Sequence, residues 1–130
     1  EAWLAAEMKT HPRLAVLGDY NIAPADEDVH DPKAWQGQVL VSEPERAAFF
    51  RLIGMGFRDS FRMFPQEEKS FSWWDYRGGD FHNGHGMRID LILATKSVVG
   101  RSTSTSIDRN ARKGEKPSDH APVLLEFPAP

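Results

Sequence analysis

The sequence contains no cysteine, which excludes disulfide bonds and thiolate chemistry and sits with a reducing cytoplasm, the compartment expected for it. It has no long hydrophobic run. Residues 14–17 and 91–94 are typical of its apolar stretches and fall far short of the roughly 20 residues that cross a bilayer. No charged-then-apolar leader opens it, so no membrane partner is expected. It also lacks an excess of positive charge: the net charge of −3 gives no overall pull on polyanions, and any contact with nucleic acid must come from a local basic face or a bound cation. What is present, in 130 residues, is 40% hydrophobic and 27% charged, the make-up of one globular domain spanning 1–130.

Residues 1–10 read as the end of an amphipathic helix that His11-Pro12 breaks, since the residue before a proline is pushed out of the α region. The chain enters this stretch on Glu1 with no start signal and is expected to be a piece of something longer. Residues 13–17 predict a buried strand, stopped by Gly18-Asp19-Tyr20-Asn21. Residues 24–38 then predict a long surface loop, in which Asp26-Glu27-Asp28 is expected to be solvated. Ser42 with Glu45 three residues on has capping-box spacing, and Phe49, Leu52 and Ile53 form the apolar stripe of a helix closed by Gly54 and Gly56.

Further strands are expected at 71–76, 87–94 and 121–127, with a weaker one within 97–107 and a basic loop over 108–117. This pattern predicts an α/β fold with one mixed β-sheet and helices on one face. The other face, led by Val16, Ile89, Leu91, Leu93, Val123 and Leu125, needs a cover, which a second sheet or another copy of the chain would supply.

Three polar clusters sit where strands end: Asp19 with Asn21, Arg88 with Asp90, and Ser118-Asp119-His120. Any one of them alone reads as an Asx turn or a solvated loop. Asp90 is different because it stands in an apolar stretch, where a carboxylate needs a hydrogen-bonding partner. His120 is the natural one, and the pair would form an imidazole oriented by a carboxylate. With a second carboxylate, an amide and a divalent ion, these are the parts that hydrolysis of a phosphodiester requires. Trp35, Phe61, Phe71, Trp74 and Tyr76 read as packing, and His82 with His85 as a solvated turn lacking a third metal ligand. Arg77, Arg109, Arg112, Lys113 and Lys116 form a basic set in loops flanking the proposed site.

Five blocks, in order, carry a family pattern: Leu17-Gly18-Asp19-Tyr20-Asn21-Ile22-Ala23-Pro24, Gly56-Phe57-Arg58-Asp59-Ser60-Phe61-Arg62, Phe71-Ser72-Trp73-Trp74-Asp75-Tyr76-Arg77, Gly86-Met87-Arg88-Ile89-Asp90-Leu91-Ile92-Leu93 and Pro117-Ser118-Asp119-His120-Ala121-Pro122-Val123. They resemble the exonuclease III branch of the endonuclease/exonuclease/phosphatase superfamily, over its C-terminal half. The resemblance implies half of a four-layer α/β/β/α sandwich from a Mg²⁺-dependent enzyme, with Mn²⁺ as a substitute, that acts on double-stranded DNA at abasic sites and 3′ ends. It implies that Asp19 orients or deprotonates water, Asn21 binds the scissile phosphate, Asp90 fixes His120, His120 donates to a phosphate oxygen, and Asp119 lies on the metal side. Trp73, Met87 and Ile89 would form the slot for a sugar lacking its base, with Arg77 on the substrate. The family's principal metal-binding glutamate belongs to its N-terminal half and is absent from this sequence, so the chain alone is expected to be inactive. Two other readings share these residues: a superfamily phosphatase acting on a non-DNA substrate, and a non-catalytic assembly module that self-associates through its bare sheet face.

Overall fold

The structure, a computed structural model, describes residues 2–76 and 79–129. Its elements in chain order are α1 (Ala2–Thr10), β1 (Ala15–Asp19), α2 (Pro32–Trp35), α3 (Glu43–Gly54), β2 (Phe57–Asp59), β3 (Trp73–Trp74), α4 (Asp80–Asn83), β4 (Gly86–Met87), β5 (Asp90–Thr95), α5 (Lys96–Val99), β6 (Ser104–Ile107) and β7 (Val123–Glu126). Single 3₁₀ turns cover Asp26–Asp28, Ser60–Met63 and Arg109–Lys113.

The helix α3 forms where its cap says it should. Ser42 Oγ accepts the Glu45 amide at 3.4 Å, and the Glu45 carboxylate turns back to take the Ser42 hydroxyl at 2.7 Å and the Leu40 amide at 2.9 Å. Its far end turns through Gly56 at φ +116°, a value that disfavours any side chain, and an added Cβ there would come within 3.1 Å of Met8 Cε on α1. Phe49 of α3 and Phe57 of β2 are buried against Leu91 and Leu93 of β5, with Leu4, Met8, Val16, Leu52 and Ile53 closing the cluster. Each such side chain contributes about 1.5–3 kcal/mol by leaving water.

The mixed α/β fold is as expected, but the strands are laid out differently. Among the described residues they form four antiparallel ladders in three sheets, ordered β1-β5-β2, β3-β4 and β6-β7, in place of one mixed sheet. The expected strand over 87–94 is broken because the amides at its middle find other acceptors. Arg88 N donates to Asp28 O at 2.9 Å, and the buried Ser72 hydroxyl accepts both Ile89 N and Asp90 N, at 3.0 and 3.1 Å. The chain therefore leaves the β3-β4 ladder at Met87 and joins the three-stranded sheet at Asp90. Gly86 is required at the start of this crossing, since a Cβ there would lie 2.5 Å from Trp74 Nε1 and 2.7 Å from Trp73 O.

Three further expectations are corrected. The strand over 13–17 is displaced to Ala15–Asp19 and is a largely exposed edge, because only Val16 turns into the core and Leu17 remains 66% exposed. Val16, Leu91 and Leu93 are not on the bare face but under α1 and α3, and on the other face Leu17 is exposed while Ile92, its partner across the ladder, is buried. The loop over 24–38 is not wholly solvated: Pro24, Asp28 and Val29 are buried and the one-turn helix α2 lies within it. Among the described residues no helix is long and apolar enough to cross a membrane.

Candidate functional site

The register of β1 on β5 places Asp19 directly opposite Asp90. Two carboxylates across a ladder repel, so the pair needs a positive or donating neighbour. His120 provides it, although it precedes β7, which pairs with β6 and not with β1. The segment before β7 reaches the site through an isolated bridge between Trp73 and His120, with Trp74 N donating to Asp119 O at 3.0 Å and Ala121 N to Ser72 O at 2.7 Å.

The resulting geometry is compact. His120 Nδ1 lies 2.8 Å from Asp90 Oδ2, while its Nε2 lies 3.7 Å from Asp19 Oδ2 and 3.8 Å from Asp119 Oδ1. The ring is thus tethered at one nitrogen and free to act at the other. Burial raises the Asp90 carboxyl above the usual carboxylate range, opposed by hydrogen bonds from His120 and Ser72, and Asp19 adds to the rise. In the turn after β1, Asn21 sits at φ +53°, a left-handed conformation that asparagine tolerates, and its amide donates to Asp19 Oδ1 at 2.9 Å. Tyr20 between them turns inward. Its hydroxyl donates to Val16 O at 2.8 Å, away from the exposed side of the turn, and burial with help from Asp59 pushes its pKa up to about 12.

One ligand atom each from Asp19, Asp90 and His120 lies within 4.8 Å of the others, close enough to share a cation. Asp119 stands beside this group, with its Oδ2 held by Trp73 Nε1 at 3.1 Å. Carboxylates that are partly exposed and converge beside an imidazole suit a divalent ion held by one or two carboxylates and completed by substrate oxygens.

The remaining expected substrate contacts divide. Trp73 is half-buried at the edge of the site, whereas Met87 and Ile89 are core residues, 1% and 2% exposed, closed in by Val29, Val41, Trp35 and Leu40. Their side chains present no surface to a ligand here, because the 24–41 segment folds over them. Arg77 lies outside the described residues. Ser72 was missed: nothing in Phe71-Ser72-Trp73 marks a residue that holds the Asp90 backbone, and the signal would have been a small hydroxyl fully enclosed by aromatic neighbours. Also missed was Asp28, which pairs with the buried Arg88.

The fold thus gathers three carboxylates around one oriented histidine. The chain belongs to the endonuclease/exonuclease/phosphatase family, whose model matches residues 2–120; this is a family of metal-dependent nucleases. It is 40% identical over 126 residues to exodeoxyribonuclease III of Haemophilus influenzae, covering 92% of this chain and 47% of that protein. The exodeoxyribonuclease of Bacillus subtilis is 35% identical, with 92% and 46% covered. Among solved structures, a 3′ phosphatase from Neisseria bound to a product DNA hairpin superposes with a TM-score of 0.95 at 39% identity, over 98% of this chain and 50% of that one. An AP endonuclease from Archaeoglobus fulgidus gives 0.86 at 31% identity, over 97% and 51%. The chain spans about half the length of these relatives.

Proposed function

We propose that this chain supplies the histidine side of the catalytic centre of a metal-dependent DNA-repair phosphodiesterase, acting on double-stranded DNA at abasic sites and 3′ ends. The observation that carries this is the tethered imidazole, with Nδ1 on Asp90 and Nε2 between Asp19 and Asp119, in a family of nucleases. Asp90 accepts the Nδ1 proton, fixing the tautomer and angle of the ring, and so His120 Nε2 can donate to a phosphate oxygen as negative charge develops. Asp19 orients water for attack and draws its proton, and the exposed Asn21 amide binds the scissile phosphate from the same turn. Asp119, with Asp19, would hold Mg²⁺ or Mn²⁺. Such an ion supplies Lewis-acid stabilisation of phosphate charge when bound. Trp73 is left as the aromatic contact for the sugar, and Arg77 as a phosphate contact.

The isolated chain is expected to show little or no cleavage, because a site lacking the family's principal metal glutamate loses the preorganisation that stabilises the transition state. The test is Mg²⁺-dependent cleavage of a duplex with one abasic site, run on the 130-residue chain and on the full-length protein that carries it. Cleavage by the full-length protein, lost in His120→Ala, supports the reading. Robust cleavage by the chain alone, abolished by Asp19→Asn, would overturn the incomplete-site part of it. A duplex ending in a 3′-phosphate belongs in the same assay, since one structural relative is named a 3′ phosphatase.

A further inference from the structure

The turn over 117–120 is held from three sides, and the central support is a buried arginine. Tyr76 Oη donates to Pro117 O at 2.8 Å, Arg112 Nη1 donates to Ser118 O at 2.8 Å, and Trp74 N donates to Asp119 O at 3.0 Å. Three consecutive carbonyls are thus each fixed by a different donor, and His120 N then closes the turn on Ser118 Oγ at 3.1 Å. The support from Trp74 is backbone, which any residue but proline at position 74 could provide. The other two are side chains and depend on what stands at 76 and 112.

Arg112 is only 7% exposed, and its surroundings are aromatic. Its guanidinium carbon lies 4.7 Å from the centre of the Phe81 ring, 5.5 Å from Tyr76 and 5.8 Å from Trp74. A guanidinium over ring faces is held by their negative quadrupoles and by the flat fit of its own plane, so its Nη1 points in one direction only. That direction is the carbonyl immediately before Asp119. Arg109 braces the same ring, 4.3 Å from the Phe81 centre, with Nη2 donating to Phe81 O at 3.1 Å.

We propose that Arg112 is a positioning residue for the reaction: held in its aromatic box, it fixes the Ser118 carbonyl and so sets the reach of His120 to Asp90 and of Asp119 to His120 Nε2. This inference rests on the reading of His120 as the phosphate donor. The reason it matters is distance. The ring meets Asp90 at 2.8 Å, and reactions that depend on placed groups lose about a hundredfold for a displacement of about 1 Å.

The test uses the full-length protein with an abasic duplex. Arg112→Leu is expected to lower kcat by about 10- to 100-fold with KM moved by less than about threefold, the mark of misplacement in the transition state. Arg112→Lys, which keeps the cation over the rings and one donor, is expected to recover part of that loss. Tyr76→Phe, on an exposed ring, removes the neighbouring support and is expected to lower kcat by less, in the same direction. In parallel, ¹⁵N NMR of the His120 ring in the same variants is expected to show weakening of the Nδ1 hydrogen bond to Asp90. Unchanged kcat, a loss confined to KM, or unaltered His120 ring signals in Arg112→Leu would overturn the proposal. Should that variant fail to fold, unchanged kcat in both Arg112→Lys and Tyr76→Phe would overturn it. Failure of the wild-type protein to cleave abasic DNA would instead sink the functional reading, and the His120 signals would still decide whether Arg112 places the ring.

Discussion

Two charge clusters sit two residues apart on the same chain, at Arg88 and at Asp90, and their contrast separates structure from chemistry. Arg88 is 1% exposed and fully engaged: Nε donates to Asp28 at 2.7 Å, Nη1 to Asp59 at 3.0 Å, and Nη2 to Asp59, while Arg62 also reaches Asp28. Burial alone would push the Arg88 guanidinium down, yet hydrogen bonds and charge from Asp59 and then Asp28 outweigh it and raise it further. The Asp90 cluster is the reverse. It holds three carboxylates for one histidine, lies partly open, and among the described residues leaves His120 Nε2 no charged partner closer than the carboxylates 3.7 and 3.8 Å away. A satisfied, buried network holds a fold together; an exposed one with unspent capacity is free to act on a ligand.

The largest effect that could break this comparison is on the buried side. Arg88→Leu strands Asp28 and Asp59 in the interior and is expected to cost about 3–5 kcal/mol, read as a fall in the urea midpoint. A loss under about 1 kcal/mol would mean the network is not what ties the 26–28 turn to β2 and the β4–β5 crossing.

On the open side the same logic predicts loss of function without loss of fold. In the full-length protein, Asp90→Ala and His120→Ala are each expected to lower kcat on an abasic duplex by about 10²- to 10⁴-fold, with duplex affinity within a few-fold of wild type. The two losses should not add, since each removes the same oriented donor. Additive losses would show that Asp90 and His120 act separately.

These two clusters were not equally legible in the sequence. Asp90 stood out as a carboxylate in an apolar stretch, and so did its need for His120. Asp28 did not, because Asp26-Glu27-Asp28 has the look of a solvated acidic run, and only the fold turns its last member inward onto Arg88. The helix from Glu43 was readable because Ser42 and Glu45 are local chemistry. The break at Arg88 and Ile89 was not, because Met87, Ile89, Leu91 and Leu93 keep a period of two straight through it, and the Ser72 hydroxyl that intercepts the amides comes from 17 and 18 residues away. Nor could alternation say which face of β5 lies under α3, since both faces of that central strand are buried.

A smaller effect concerns pH. Burial, with Asp19 adding to it, raises the folded Asp90 carboxyl despite hydrogen bonds from His120 and Ser72. The native state therefore binds this proton more tightly than the unfolded chain, whose carboxylate titrates near about 3.9. Stability linked to Asp90 is complete below that value and is lost as pH rises through the raised folded value. Asp90→Asn keeps an acceptor for His120 but removes the titration, so it is expected to gain stability relative to wild type as pH rises above about 4. Urea midpoints of both proteins across that range check it, and an opposite slope would mean that His120 and Ser72 hold the carboxylate more strongly than burial opposes it.

The smallest expected effect on stability is the sharpest on assignment. Asn21 occupies φ +53°, where asparagine is tolerated and glycine is at ease, and its backbone amide, not its side chain, makes the bond to Asp19 Oδ1. Asn21→Gly keeps that bond and relieves the left-handed strain, while the freer unfolded chain offsets the gain, so the net change is expected to stay within about 0.5 kcal/mol. What the substitution deletes is the exposed side-chain amide. If that amide binds the scissile phosphate, turnover in the full-length protein should fall by about tenfold or more, the loss expected for one donor to developing charge, while the urea midpoint barely moves. Turnover unchanged in Asn21→Gly would remove the side chain from the site and leave its backbone turn as the reason asparagine stands there. An asparagine kept for its fold is told from one kept for its chemistry by which of these two measurements moves.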